Sequence, residues 1–427
     1  MRKLLIISYY WPPAGGPGVQ RWVKFVKYLT KAGYNCHVVT VREDYASYPS
    51  IDKTLEKDID PSVKVTRTKS FEVLKIFSSL FRKEKVPYAG IPDKNNMSAI
   101  GKLALYIRSN FFIPDARVGW NNYALDACRK IIEKENIDVI VSTSPPHSTQ
   151  LIALQLKKEF PRIRWVADMR DPWTDIYYYP KLSHTERSKN ADKELEKEVL
   201  LHANLVTTVS KDLRKLFLKK SEMIHPDKVQ VLPNGFDAED FENINIQTNE
   251  VFTIAHTGTI NSNYNIAGFL EAYKKLTIPV KIKFVGNVDT LIKKQLTDAI
   301  PSVEFTPYVT HDEAVRIMCA ADLLLLAIPD NKDNKGILTG KLFEYLAAQK
   351  PILCLGPPNG DAANTIRDCN AGKTYSFEDS ENMYLYTNSI YEIWQTKKST
   401  KLTSTLYHKY SREELAKEFS RLTELLF

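Results

Sequence analysis

The sequence predicts an α/β chain of two domains, each a series of buried strands alternating with helices, and three observations carry that expectation. The chain is 427 residues long, more than one core usually holds, because single domains commonly run to about 100–200 residues. Short apolar segments bounded by helical stretches recur from end to end, the pattern of parallel sheets covered by helices. The series breaks once, where residues 238–249 turn acidic and polar like a linker, and then starts again.

In the first series, residues 3–8 read as a buried strand, 9–19 as a long loop, 20–32 as a helix ended by Gly33, and 36–41 as a second strand. The loop carries Gly15, Gly16 and Gly18. Their spacing misses the dinucleotide fingerprint, since Arg21 stands three residues after Gly18 and the turn is too long, so NAD binding is disfavoured. A glycine-rich loop before a helix either lets backbone approach a substrate or is a flexible turn. Strands at 137–143 and 165–168 lead into Ser144-Pro145-Pro146-His147-Ser148 and Met169-Arg170-Asp171-Pro172-Trp173. Ligands of open α/β sheets bind beyond the carboxyl ends of strands, which makes His147, Asp168, Arg170 and Asp171 candidates. Alternatively, His147 caps the following helix and Arg170 neutralises Asp168 or Asp171. Strands at 205–210 and 229–232 complete the series, and Pro233-Asn234-Gly235-Phe236-Asp237 follows.

The second series places strands at 253–257, 281–285, 303–306, 322–327 and 352–355. Its most informative stretch is residues 336–355, GILTGKLFEYLAAQKPILCL. Thr339 is a suitable N-cap for a helix over 341–349, which Lys350-Pro351 ends. Leu342, Phe343, Leu346 and Ala347 fall on one side and leave Lys341 and Glu344 together on another. An anion such as a nucleoside diphosphate suits the helix start, where free N–H groups, the positive dipole end, Gly340 and Lys341 coincide. Glu344, about 4.5 Å further along the axis, then accepts hydrogen bonds from ribose hydroxyls. The stretch is not a Walker A loop, because three residues separate Gly336 from Gly340 and Leu342 replaces Ser or Thr. The plain alternative is an amphipathic surface helix with an i, i+3 Lys/Glu pair.

Composition narrows the classes. Hydrophobic residues make up 43% and charged residues 26%, as in soluble globular proteins. The longest apolar run, 321–328, is far short of the roughly 18 residues a membrane span needs. Met1-Arg2-Lys3 and the apolar residues after it imitate a signal peptide, but Trp11-Pro12-Pro13 follows and a first core strand fits better. Cys36, Cys128, Cys319, Cys354 and Cys369 are scattered and odd in number, which suggests a reducing cytoplasm and neither a disulfide framework nor a metal site. The net charge is +8. Between 67 and 113 the basic residues Arg67, Lys69, Lys75, Arg82, Lys83, Lys85, Lys94, Lys102 and Arg108 interleave with apolar ones, as on a segment that lies on an anionic membrane or as on a solvated insertion. No nucleic-acid motif accompanies the charge.

The octapeptide Gly340-Lys341-Leu342-Phe343-Glu344-Tyr345-Leu346-Ala347 resembles the donor-binding helix of the GT-B glycosyltransferases of family 4, a subgroup of which opens it with Ser-Lys-Leu-Phe-Glu-Tyr-Leu-Ala. Glu344 matches the second Glu of that family's E-x7-E pattern, whereas Gly336 stands in place of the first. Residues 168–173 are similar to its Asp-x-Arg-Asp-x-Trp run, and 233–237 to its interdomain hinge. The resemblance implies a GT-B architecture, two Rossmann-like domains facing a cleft: an acceptor-side domain over 1–236, a nucleotide-sugar domain over 237–404, and a helix over 405–427 that crosses back. It implies donor contacts from Glu344, Gly340, Thr339, Leu338, Gly258 and Thr259, with Gly286, Tyr308 and Val309 beside the base. Lys341, Asp171, Arg170 and His147 then serve catalysis, and Gly15, Gly16 and Gly18 line the acceptor side. The family's phosphate-gripping Gly-Arg and Lys are missing from 258–265, which shifts that burden to Lys341 and the backbone of 337–340. The implied activity is a cytoplasmic, metal-independent, retaining glycosyltransferase. It would use a nucleoside-diphosphate sugar, no cofactor and a glycan or lipid-linked acceptor, in cell-surface polysaccharide or glycolipid synthesis and peripheral on the membrane. Alternatives are a nucleotide-sugar 2-epimerase of the same fold and a catalytically silent sugar-nucleotide-binding subunit.

Overall fold

The computed structural model describes residues 2–71, 98–246 and 249–427; most of the basic stretch, including Lys75, Arg82, Lys83, Lys85 and Lys94, lies outside the described residues. The chain divides into a unit of Met1–Leu232 with Ala416–Phe427 and a unit of Pro233–Leu415. The first unit contains a seven-stranded sheet of β1 (Lys3–Ile7), β2 (Asn35–Val41), β3 (Lys64–Thr68), β4 (Val139–Ser144), β5 (Arg164–Met169), β6 (Leu205–Thr208) and β7 (Val229–Val231). Its order is β3-β2-β1-β4-β5-β6-β7. The second unit contains β8 (Phe252–Thr257), β9 (Val280–Val285), β10 (Glu304–Thr306), β11 (Leu323–Ala327), β12 (Ile352–Leu355) and β13 (Gly372–Tyr375), in the order β10-β9-β8-β11-β12-β13. All these pairings are parallel.

Such sheets need crossover helices on both faces, so their strands are apolar on both sides. β11 shows this directly: Leu324 and Leu326 pack with Leu342, Phe343 and Tyr345 on one face, while Leu323 and Leu325 pack with Ile254, Phe284 and Leu353 on the other. Two strands, β3 and β13, were not expected from the sequence. Both are edge strands with polar sequences, KVTRT and GKTY, and lack the apolar run that marks a central strand. Each sheet reverses its winding beside its first strand, between β1 and β4 and between β8 and β11. The loops after those strands flank the crevice where doubly wound folds hold ligands.

One buried carboxylate ties the first unit together. Asp168, on β5, is fully buried and accepts hydrogen bonds from Arg21 Nη2 (2.9 Å), Trp22 Nε1 (2.7 Å), Thr143 Oγ1 (2.8 Å) and Thr207 Oγ1 (2.9 Å). These donors come from the helix Pro17–Lys31, β4 and β6. Burial alone would raise its pKa, but the Arg21 and Arg170 guanidiniums hold it below the usual carboxylate range. Arg21 also donates to the Leu232 carbonyl (2.9 Å), at the end of the unit. In the last helix, Arg412–Glu424, Phe419 packs edge-on against Trp22 with centroids 5.6 Å apart, and Glu424 takes two hydrogen bonds from Arg2. Asp168→Asn leaves the Arg21 charge buried without a counter-ion and should destabilise the protein by about 3–5 kcal/mol. Urea unfolding followed by tryptophan fluorescence measures it; a loss below about 1 kcal/mol, the worth of a surface pair, contradicts it.

Candidate functional site

In the second unit the helix Gly340–Ala347 starts one residue before the expected 341 and ends two before 349. It buries Leu342, Phe343, Tyr345, Leu346 and Ala347, as the apolar stripe requires. Thr339 occupies the N-cap position, but its side chain makes no capping bond. Its Oγ1 is buried without a hydrogen-bond partner, a correction to the expected cap. Beside it, a methyl placed on Gly340 would meet nothing within 4 Å. An open helix start next to an orphaned hydroxyl is the arrangement in which free N–H groups can take an anion.

Lys341 and Glu344 form no ion pair with each other. Lys341 turns to the end of β8, where its Nζ donates to the Thr259 carbonyl (3.0 Å) and lies 3.5 Å from His256 Nε2. His256 is fully buried and its Nδ1 donates to the Leu325 carbonyl (2.9 Å). That bond fixes the tautomer and leaves Nε2 as an acceptor. Burial, aided by the Lys341 charge, pushes the imidazole down to about 3, so it is neutral at physiological pH. Burial lowers the ammonium itself to about 8. Gly258, at φ +98°, makes room: a Cβ there would lie 2.9 Å from Lys341 Cε. Gly286, at φ +116°, sits against it, since a Cβ would lie 2.8 Å from the Gly258 carbonyl. The Tyr345 hydroxyl accepts from Thr257 N (2.9 Å) and anchors the strand end to the helix.

Glu344 is about a quarter exposed (26%) and faces His311, whose Nδ1 is 3.9 Å from its Oε1. Burial raises the Glu344 pKa, while His311 and Arg412 oppose that shift. Tyr308 is 81% exposed, and Val309 beside it is partly covered. A cavity of about 460 Å³ lies at the other end of the helix, lined by Gln349, Lys350, Trp394 and Lys401; none of the expected donor residues lines it.

In the first unit the candidates collect beyond β4 and β5. Arg170 Nε donates to the Ser144 carbonyl (3.0 Å) and Nη2 to that of Pro145 (3.2 Å). Gly18 admits the guanidinium, because a Cβ there would fall 2.2 Å from Nη1. Gly15 and its neighbours are pinned rather than loose: Gly15 N donates to the Ser50 carbonyl (2.9 Å) and Asp52 N to that of Pro13 (2.8 Å). Gly16, at φ 106°, precedes the helix. His147 stands at an N-cap position without a capping bond. It stacks on Trp173 with centroids 5.0 Å apart and planes 13° apart, and its Nδ1 is buried with no partner. Burial pushes it down to about 4, with Asp115 opposing and Arg170 assisting. Trp173 is held in turn by a 2.7 Å bond from its Nε1 to Asp192. Asp171 is raised by burial, with Arg170 opposing.

The sequence did not single out His256, His311 or Tyr345, which act through partners distant in the chain. The five cysteines are free and buried. Among the described residues no three His, Cys, Asp or Glu side chains group to hold a metal, and no helix is long and apolar enough to cross a membrane.

Two parallel sheets of this winding with their interleaved helices are the GT-B fold. Residues 89–240 match the family model of Glycosyltransferase Family 4. Solved structures with the same fold include sucrose-phosphate synthase from Thermosynechococcus elongatus (14% identity, 100% of this chain and 99% of that chain, TM-score 0.62). HepE from Anabaena, solved in complex with UDP, is similar over 99% of this chain and all of its own at 13% identity and TM-score 0.59. The lipopolysaccharide outer core galactosyltransferase WaaB matches over the full length of both chains at 11% identity and TM-score 0.60. No curated protein matches by sequence.

Gly258→Ala should push the Lys341 side chain out of its seat and return its titration from about 8 toward the ordinary lysine range. Heteronuclear NMR of the lysine side chains reads this; an unmoved resonance contradicts the packing described.

Proposed function

We propose that the protein is a glycosyltransferase that takes a sugar from a nucleoside-diphosphate donor and passes it to a glycan or lipid-linked acceptor with retention at the anomeric carbon. The observation that carries this is the helix start at Gly340, with open backbone, an unpaired Thr339 hydroxyl and a cation whose partners are neutral. The donor's diphosphate would lie against the backbone of 338–340 and Lys341, with Gly258 and Thr259 opposite and the ribose on Glu344. Gly286, Tyr308 and Val309 would border the base. That HepE is solved with UDP and with UDP-glucose supports a nucleotide-sugar donor.

As the glycosidic bond breaks, negative charge grows on the leaving phosphate, and preorganised N–H groups with Lys341 stabilise it without reorganisation. Arg170, Asp171 and His147, in the other unit, belong to the acceptor side. His147 is uncharged at neutral pH, so it can accept a hydrogen bond from an acceptor hydroxyl. With retention, the acceptor proton passes to the leaving phosphate. WaaB is a lipopolysaccharide outer core galactosyltransferase, which supports a place for this protein in cell-surface polysaccharide or glycolipid synthesis; we place it on the cytoplasmic side, peripheral to the membrane. The helix Ala99–Phe111 supports the membrane part with exposed Ile100, Leu103, Tyr106 and Phe111. Sedimentation with anionic vesicles at low salt tests that part alone, and absence of binding removes it.

A panel of labelled nucleotide sugars, with and without lipid extract, tests the reaction: transfer supports it, change of the donor alone indicates an epimerase, and no change a silent subunit. Lys341→Ala should mainly lower kcat, by roughly 10²–10³. Glu344→Gln should mainly raise the donor KM, by a loss of about 1.5–3 kcal/mol. Steady-state kinetics on both folded variants decide it; a donor KM within about twofold of wild type for Glu344→Gln removes the ribose assignment.

A further inference from the structure

His311 opens the helix His311–Ala320, behind the candidate ribose carboxylate. Its two ring nitrogens point at two acids. Nε2 is 3.2 Å from Asp240 Oδ2, and Nδ1 is 3.9 Å from Glu344 Oε1. Asp240 belongs to the short 3-10 turn Ala238–Phe241, just after the first residues of the unit. The charged groups facing the imidazole are Asp240, Glu344 and Arg412, and Lys341 adds its field at Glu344. A ring that donates from both nitrogens is an imidazolium. Here it stands between one carboxylate that holds it and another that it can hold.

We propose that His311 is the positioning residue for Glu344, engaging one carboxylate oxygen through Nδ1 so that the second is presented to the ribose of the donor. This rests on the donor-site reading above. Without that cation, Glu344 is drawn toward its neutral acid by burial, and a protonated carboxyl accepts less well from two adjacent hydroxyls. Asp240 orients the ring from the far side, in the way a second carboxylate fixes a functional histidine.

The sign of the pH dependence follows. The bond to Asp240 raises the His311 pKa against the effect of burial, with Glu344 adding to the rise. The contribution of His311 is therefore fully present below about 6.5, the unperturbed histidine value, and is lost as pH rises through its raised pKa. Lys341, lowered to about 8, also weakens anion binding on the alkaline side, so the two must be separated. Inorganic pyrophosphate and UDP do this, since only UDP carries a ribose.

The experiment titrates UDP and pyrophosphate into wild type, His311→Gln and Glu344→Gln between pH 6 and 8.5. We expect His311→Gln to weaken UDP about tenfold at the acid end, with the deficit shrinking as pH rises, and to leave pyrophosphate within about twofold. NMR of the imidazole should show the His311 titration falling in Glu344→Gln. A UDP deficit that does not vary with pH, or equal losses of UDP and pyrophosphate, overturns the proposal while leaving the donor site standing. Failure of wild type to bind UDP, ADP or GDP overturns both.

Discussion

A half-buried ammonium group whose hydrogen-bond partners are neutral is the constraint from which the candidate site of the second unit follows. Lys341 meets only neutral acceptors, the Thr259 carbonyl and His256 Nε2. A cation in that position is costly, and its pKa falls in response. The local sequence makes sense as provision for it. Gly258 leaves the space, the Leu325 carbonyl fixes the His256 tautomer, and Tyr345 ties the strand end to the helix that carries the lysine. A diphosphate, as proposed above, would supply this ammonium with a close countercharge.

The first unit handles its central charge in the opposite way. Asp168 is surrounded by Arg21, Trp22, Thr143 and Thr207 and has no capacity left for a ligand. Arg170, whose Nε lies 3.9 Å from that carboxylate, projects past β4 under the space that Gly18 leaves, and His147 lies on a Trp173 ring that Asp192 holds. Of the Asp-x-Arg-Asp-x-Trp run, the first acid is thus architectural and the tryptophan packs under His147.

The central strands were legible because parallel strands buried on both faces are written as apolar runs: 352–355 was read to the residue, and β1, β8 and β11 to within one at either end. β3 and β13 were not, since a partly covered edge needs no such run. Lys341 and Glu344 stood out through spacing on one helix, but their neighbours did not. His256 and His311 lie 85 and 33 positions away from these partners, and nothing local in the sequence marks a tautomer or a bridge between two acids. A flexible turn stayed among the readings of the glycine loop at 15–18 because its tethers, Ser50 and Asp52, belong to another segment.

The most direct measurement is the titration of the Lys341 side chain by NMR in wild type, alone and saturated with a nucleoside diphosphate. If the diphosphate sits on this ammonium, it favours the protonated form, and the midpoint must rise from about 8. A midpoint unchanged at saturation, with the nucleotide demonstrably bound, contradicts the account.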